Sequence, residues 1–296
     1  MVREFLLGDN PFIGVSHLSQ EKAREESKEA TLKNKVKVFK SALKGGATGF
    51  TFSTHPANLD LLTYLREHEI NVLKEMNYYP LVPYAQTYVR RANVRGTPAL
   101  VKSILRSTVK HPSRILDSIV GIVTLSPERF ITLFIETELS PYLKTLPRTK
   151  IKAIFLHEIL TEFIVAFDLL DLVKYLDKTL KKRLKIGFGL ETRNIGQLYR
   201  WLDKAGYYPE YIMTPMNPLG YQMAPNKEVA ENSILKLCSK SKIVAINILA
   251  SGAVSLSEAI EYLIEFKNKI YAVTSASTKP ERIHNNFKTL RCALSP

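Results

Sequence analysis

The sequence predicts an α/β protein of the (β/α)8 TIM-barrel class, and three observations carry that expectation. Short apolar, β-branched runs alternate with helical patterns along most of the chain. Two consecutive strand–turn–helix units close it, KIVAINILASGAVSLSEAIEYLIEF and KIYAVTSASTKPERIHNNFKTL. In the first, Leu256, Ala259, Ile260, Leu263 and Ile264 recur at helical spacing; in the second, Ile283, Phe287 and Leu290 do. Finally, eight such units fit 296 residues, and no Gly-x-Gly-x-x-Gly follows the first strand, which favours a closed barrel over an open dinucleotide-binding sheet.

Taken in order, EFLLG is the first strand, and GDNPFIGVSHLS after it is a polar loop rich in turn residues. Residues 20–31 read as a charged loop. Val36, Phe39 and Leu43 then mark a helix stopped by Gly45 and Gly46. TGFTFST is the second strand, PANLDLLTYLREH its helix with Pro56 at the start, and EINVLKEMNYYP the third strand ended by a proline. Residues 80–150 break the rhythm and read as a helical insertion plus the third barrel helix, with Ser126 and Pro127 opening ERFITLFIETEL. IKAIFLHE is the fourth strand, followed by a helix over 164–176. RLKIGFGLETRN is the fifth and EYIMTPMNPLGY the sixth. Ser255 with Glu258 and Thr278 with Glu281 predict reciprocal helix caps in the closing units.

With 45% hydrophobic residues the chain can bury one large core, so residues 1–296 are expected to form a single domain. No apolar run is long enough to span a bilayer and no signal-peptide pattern follows Met1, so a cytoplasmic location without a membrane partner is expected. Cys238 and Cys292 form no Cys-x-x-Cys motif, which excludes a cysteine-ligated cluster or zinc ribbon. The formal charge of +14 would attract anions, but its lysines and arginines punctuate helices rather than cluster with aromatics. A small anionic molecule is therefore favoured over nucleic acid, and the oligomeric state is left open.

In this fold the active site forms at the C-terminal ends of the strands. That rule nominates Asp9, Asn10 and His17 after the first strand, Ser53 and His55 after the second, and Lys74, Glu75, Asn77 and Tyr78 around the third. It nominates His157 and Glu158 after the fourth, Glu191, Thr192 and Arg193 after the fifth, Thr214 and Asn217 after the sixth, and Asn247, Ser251, Gly252, Ser275, Ser277 and Thr278 after the last two. Asp9 and Asn10 also read as ordinary turn residues, and Thr278 with Glu281 as a plain cap. Lys74 in an apolar strand is costly unless paired or functional. The turn SASTKPERIHNN offers free N–H groups, hydroxyls, Lys279 and Arg282 to a phosphate.

VTSASTKPERIHNNF resembles the last strand and helix of the aldo-keto reductases, and VAINILASG, IFLHE and LETRN resemble that family's seventh-, fourth- and fifth-strand segments. The opening GDNPFIGVSH is similar to a branch of such barrels that begins G-x-N-P-F-x-G-x-S-H. The resemblance implies NADP as cofactor, held by Asn247, Ser251, Gly252, Ser275, Ser277, Thr278, Lys279, Arg282 and Asn286. It places Lys74 and His157 on the catalytic lysine and histidine, but Ser53 and Asn58 on the catalytic aspartate and tyrosine, and Ile246 on the stacking tyrosine. Tyr78 or His55 would then supply the proton, and Asn10, His17, Arg193 and Asn217 would contact substrate. Three functions compete. The first is an NADP-linked oxidoreductase with altered catalytic residues. The second is a non-redox isomerase, lyase or hydrolase on a phosphorylated substrate, with Glu75, His157 and Glu191 able to hold a divalent metal. The third is a binding or scaffold protein that uses the insertion as its interface.

Overall fold

The computed structural model describes residues 1–14, 29–83 and 127–295. Eight parallel strands pair in sequence order and close on themselves, β8 against β1: β1 (Glu4–Gly8), β2 (Gly49–Ser53), β3 (Asn77–Val82), β4 (Ala153–Leu156), β5 (Gly187–Glu191), β6 (Tyr211–Pro215), β7 (Lys242–Ile246) and β8 (Ala272–Ser275). The described helices are α1 (Leu32–Gly45), α2 (Pro56–His68), α3 (Ile70–Glu75), α4 (Pro127–Thr145), α5 (Glu158–Ala166), α6 (Leu170–Leu184), α7 (Ile195–Ala205), α8 (Lys227–Leu237), α9 (Leu256–Phe266) and α10 (Pro280–Leu294). The barrel class read from the alternating pattern is the one observed. Within the stretch 80–150, residues 84–126 lie outside the described residues.

Strand alternation sorts side chains into two environments. Phe5, Phe50, Phe52, Ile154, Phe188 and Ile212 join the cluster between sheet and helices. Their neighbours Leu6, Tyr79, Phe155, Tyr211, Met213 and Val244 form a separate cluster inside the barrel. At the N-terminal end of the strands the interior is filled by aromatic rings: Tyr211 meets Tyr79, Phe155 and Tyr271 edge-on, with centroids 6.3, 5.9 and 5.7 Å apart. Below them the Glu4 carboxylate accepts from Thr48 and Asn77. The barrel has a floor.

Local signals place most element ends. The Thr31 hydroxyl caps α1 by accepting from the Asn34 N–H at 3.3 Å, and Gly46 ends it in the left-handed region (φ 103°), where a side chain would be strained. The box of Ser255 and Glu258 on α9 forms as expected. The box expected of Thr278 and Glu281 does not: Thr278 donates to Glu29 at 2.6 Å, and the Ser277 hydroxyl accepts from the Lys279 N–H just before Pro280 opens α10. Two further expectations are corrected. Residues 70–75 form α3, and the third strand begins only at Asn77 and runs through Pro80. The helix expected over 164–176 is two helices, α5 and α6, broken at Asp168, whose φ is 53°.

Candidate active site

The ends of β1 and β2 are tied together by one carboxyl. Asp9 Oδ2 accepts from the Ser53 N–H at 2.9 Å and from Asn58 Nδ2 at 2.7 Å, and Asn58 also donates to the Ser53 carbonyl at 3.0 Å. Burial still pushes Asp9 up to about 6, because desolvation outweighs those donors. Close by, in the first turn of α1, Lys35 is only 7% exposed. Burial lowers its basicity, while the charges of Asp60 and Asp9 oppose that shift.

Across the mouth, Gly187, Gly189 and Glu191 share the inward face of β5. Gly189 leaves no room for a side chain, since an added Cβ would lie 2.5 Å from the Phe155 ring. Glu191 is buried and accepts from the Glu158 N–H at 3.1 Å. Burial first, and then the charge of Glu158, push its carboxyl up to about 8; Asp9 adds to the rise, and the Glu158 N–H and Arg193 oppose it. The environment therefore favours the neutral form of Glu191 more strongly than that of Asp9. Glu158 itself is paired with Arg193.

Two histidines frame the same opening. His55 Nδ1 accepts from the Ala57 N–H at 3.1 Å and caps α2; His157 Nδ1 accepts from the Ile159 N–H at 3.3 Å and caps α5. With Nδ1 accepting, the neutral ring carries its proton on Nε2. Burial lowers the His157 pKa, which keeps this ring neutral. Helix α4 crosses nearby: Tyr142 donates to the His55 carbonyl at 2.9 Å, and Glu138 accepts from Thr54 at 3.0 Å.

On the side of β7 and β8, Asn247 and Ser251 both have positive φ (53° and 60°), and the Asn247 Oδ1 accepts from the Ser251 N–H at 3.0 Å. Asn217 is consumed by its own turn, donating to the Tyr221 and Asn247 carbonyls and accepting from the Tyr221 N–H at 2.8 Å. Asn286 donates to the Ser275 hydroxyl at 3.1 Å in a buried pair that joins α10 to β8. Lys279 and Arg282 stand exposed at the start of α10, and Gly252 is exposed at the rim of the β7 loop. Two cations beside a helix N-terminus suit the anionic tail of a dinucleotide. The Glu29 carboxylate bonded to Thr278 and the exposed Glu281 in the first turn of α10 oppose an anion there.

Several nominated residues lie elsewhere. Lys74 and Glu75 are exposed on α3, which precedes β3, so they sit at the floor end of the barrel. Tyr78 faces the helices, donating to the Leu73 carbonyl at 2.7 Å, and burial pushes its phenol far up. The cause is the phase of β3: a strand starting at Asn77 carries its C-terminal end to Val82, beyond all three. Glu75 consequently cannot join His157 and Glu191 around a metal, and among the described residues no group of three His, Cys, Asp or Glu is placed to bind one. His17 lies outside the described residues, and Asn10 is exposed at the rim. Lys35 went unnoticed in the sequence, although it occupies an apolar position in the stripe Lys35, Val38, Phe39, Ala42 of α1. Asp9, nominated at the end of the first strand and equally readable as a turn residue, is at that strand's end and buried.

No protein-family model matches the sequence, and no curated protein is similar to it. Solved structures are similar. A putative aldo-keto reductase from Pseudomonas aeruginosa shares 14% identity, with 99% of this chain and 91% of that one covered and a TM-score of 0.56. An aldo-keto reductase of Bacillus halodurans, in its holo form, shares 11% identity over 98% and 87% of the two chains with a TM-score of 0.56. One from Bombyx mori, in complex with NADP, shares 10% over 97% and 83% with a TM-score of 0.51. Closure of eight parallel strands in sequence order, together with these superpositions over nearly the whole chain, establishes that the chain has the fold of the aldo-keto reductases.

Proposed function

We propose that this protein is an NADP-linked oxidoreductase of the aldo-keto reductase type in which a carboxyl, Glu191, takes the place of the phenol as proton donor. One observation carries the reading: Glu191 is buried at the C-terminal end of an inner strand and pushed up to about 8, so it holds a proton where substrate would stand. NADPH, when bound, would supply hydride chemistry to a carbonyl carbon. Glu191 gives its proton to the carbonyl oxygen, and the Nε2–H of His157 hydrogen-bonds that oxygen and orients it. Asp9 accepts from a substrate hydroxyl and fixes the second end of the molecule. Lys279 and Arg282 hold the dinucleotide phosphates at the start of α10. Because the carboxylates of Asp9, Glu138 and Glu158 gather around the mouth, an uncharged carbonyl compound suits it better than an anion, and the attraction for negative charge belongs to the cofactor tail.

Titration with NADPH, following cofactor fluorescence, tests the reading. Saturable binding that weakens in Lys279→Ala and Arg282→Ala is expected; absence of binding at high micromolar cofactor would sink it. With a panel of small aldehydes and ketones, Glu191→Gln should lower kcat by roughly a hundredfold or more while leaving NADPH affinity intact.

A second reading is favoured by Ile246, which ends β7 where a stacking aromatic would face a nicotinamide ring, and by the split between an ionised Asp9 and a protonated Glu191. Such a pair can remove a proton beside a carbonyl at Asp9 and return one from Glu191, a redox-neutral isomerisation. Deuterium incorporation from D2O into hydroxyketones, without NADPH and abolished by Asp9→Asn, would select this reading over the first.

A further inference from the structure

We propose that α5, at the rim of the barrel mouth, is a docking face for a basic amphipathic helix of another protein. Ile159, Phe163 and Phe167 follow one another at four-residue spacing, so their side chains form a line along one side of the helix and its end. They are 52%, 52% and 64% exposed, and Leu169, just beyond, is 37% exposed. Phe163 and Phe167 hold their rings against each other, with centroids 4.5 Å apart, instead of turning into the core. Helices of a (β/α)8 barrel bury their apolar stripe against the sheet. Here Thr161 and Ile164 do that, and among the described residues a second apolar line is left over on the outside. Exposed apolar surface of this kind marks an interaction site.

Charge identifies the occupant. The chain carries +14 overall, yet no lysine or arginine occurs between Lys152 and Lys174, and Glu158, Glu162, Asp168 and Asp171 all fall in that interval. Glu162 and Asp168 are exposed beside the apolar line, at positions adjacent to Phe163 and Phe167. A partner with apolar residues at i, i+4 and lysine or arginine alongside would match both features. A second copy of this chain docking α5 on α5 would oppose acid to acid, and an anionic membrane surface would be repelled. The face also communicates with the mouth. Glu162 Oε1 accepts from the Arg193 N–H at 3.1 Å and from the Thr192 hydroxyl at 3.4 Å, so a cation that draws on Glu162 pulls at the segment following Glu191.

The chain's only tryptophan reports on this surface, since Trp201 donates to Asp168 at 2.6 Å. Full-length protein would be titrated with a synthetic leucine–lysine amphipathic helix and with its leucine–glutamate counterpart, following Trp201 emission. A saturable change is expected for the basic peptide alone. It should weaken about tenfold or more in Phe163→Glu and in Phe167→Glu and weaken as salt rises. Equal binding of both peptides, no response to either, or insensitivity to both substitutions overturns the proposal. So does a wild-type dimer that Phe163→Glu separates, which would make the occupant a second copy, or binding to phosphatidylserine vesicles in place of the peptide.

Discussion

Asp9 accepts from a backbone N–H and an amide side chain, whereas Glu191 accepts from one backbone N–H and faces the charge of Glu158. Desolvation raises both carboxyls, and the charge of Glu158 raises Glu191 further while the two donors hold Asp9 back, which is why Glu191 is the better candidate for the acid role. Lys35 belongs to the same balance as a positioning residue, because its charge favours the ionised form of Asp9. Lys35→Met should therefore raise Asp9 above its present value of about 6 and move the acidic limb of the kcat/KM profile to higher pH. Lys35→Arg should restore the limb, and Asp9→Asn should abolish it. A limb unmoved by Lys35→Met would detach the lysine from the site. At this scale the sequence was only partly legible. Glu191 and His157 stood out because each follows a recognisable strand. Asp9 was nominated on the same ground but read equally well as a turn residue, because a turn aspartate and a buried one are written alike, and only the approach of Ser53 and Asn58 distinguishes them.

Elements with punctuation were readable to the residue, as with α2 between Pro56 and His68 or α9 behind its Ser255 cap. β3 was misplaced because VLKEM lacks a turn signal before it and Pro80 looks like a stop. Pro80 is nevertheless accommodated inside β3, opposite Phe52, so the strand continues to Val82. The shift of the strand from residues 69–80 to Asn77–Val82 carried Lys74, Glu75 and Tyr78 from the mouth to the other end of the barrel. β5 shows a converse case, in which glycine is required by packing. In Gly189→Ala the new methyl would meet Phe155 ring atoms at 2.5 and 2.6 Å and the Tyr211 Cβ at 2.9 Å. Urea unfolding should show a loss of about 1–3 kcal/mol, with the Tyr211 contacts disturbed. Retention of full stability would mean that β5 shifts freely, which its place between β4 and β6 opposes.

For the molecule as a whole, a protonated Glu191 has a cost in pH dependence. Its folded-state value lies above the ordinary 4.5, so the proton is held more tightly folded than unfolded. The stability this confers is complete below 4.5 and is lost as pH rises through about 8. Glu191→Gln should remove that slope and be more stable than wild type above pH 8, by a few kcal/mol at roughly 1.4 kcal/mol per pH unit. Urea midpoints measured across the window would show it, and parallel profiles for the two proteins would place the titration elsewhere. The distribution of charge is also a property of the whole: the chain carries +14, yet Asp9, Glu138, Glu158 and Glu191 come together at the C-terminal ends of the strands, so net charge does not report the local charge there. The aromatic floor beneath the mouth has a kinetic consequence. With Tyr79, Phe155 and Tyr211 closing one end, the barrel is a cup and not a tube. If a cofactor and a substrate share this cup, as the proposed function requires, the one that lies deeper must arrive first and depart last, and product inhibition patterns measured against NADPH would show that order.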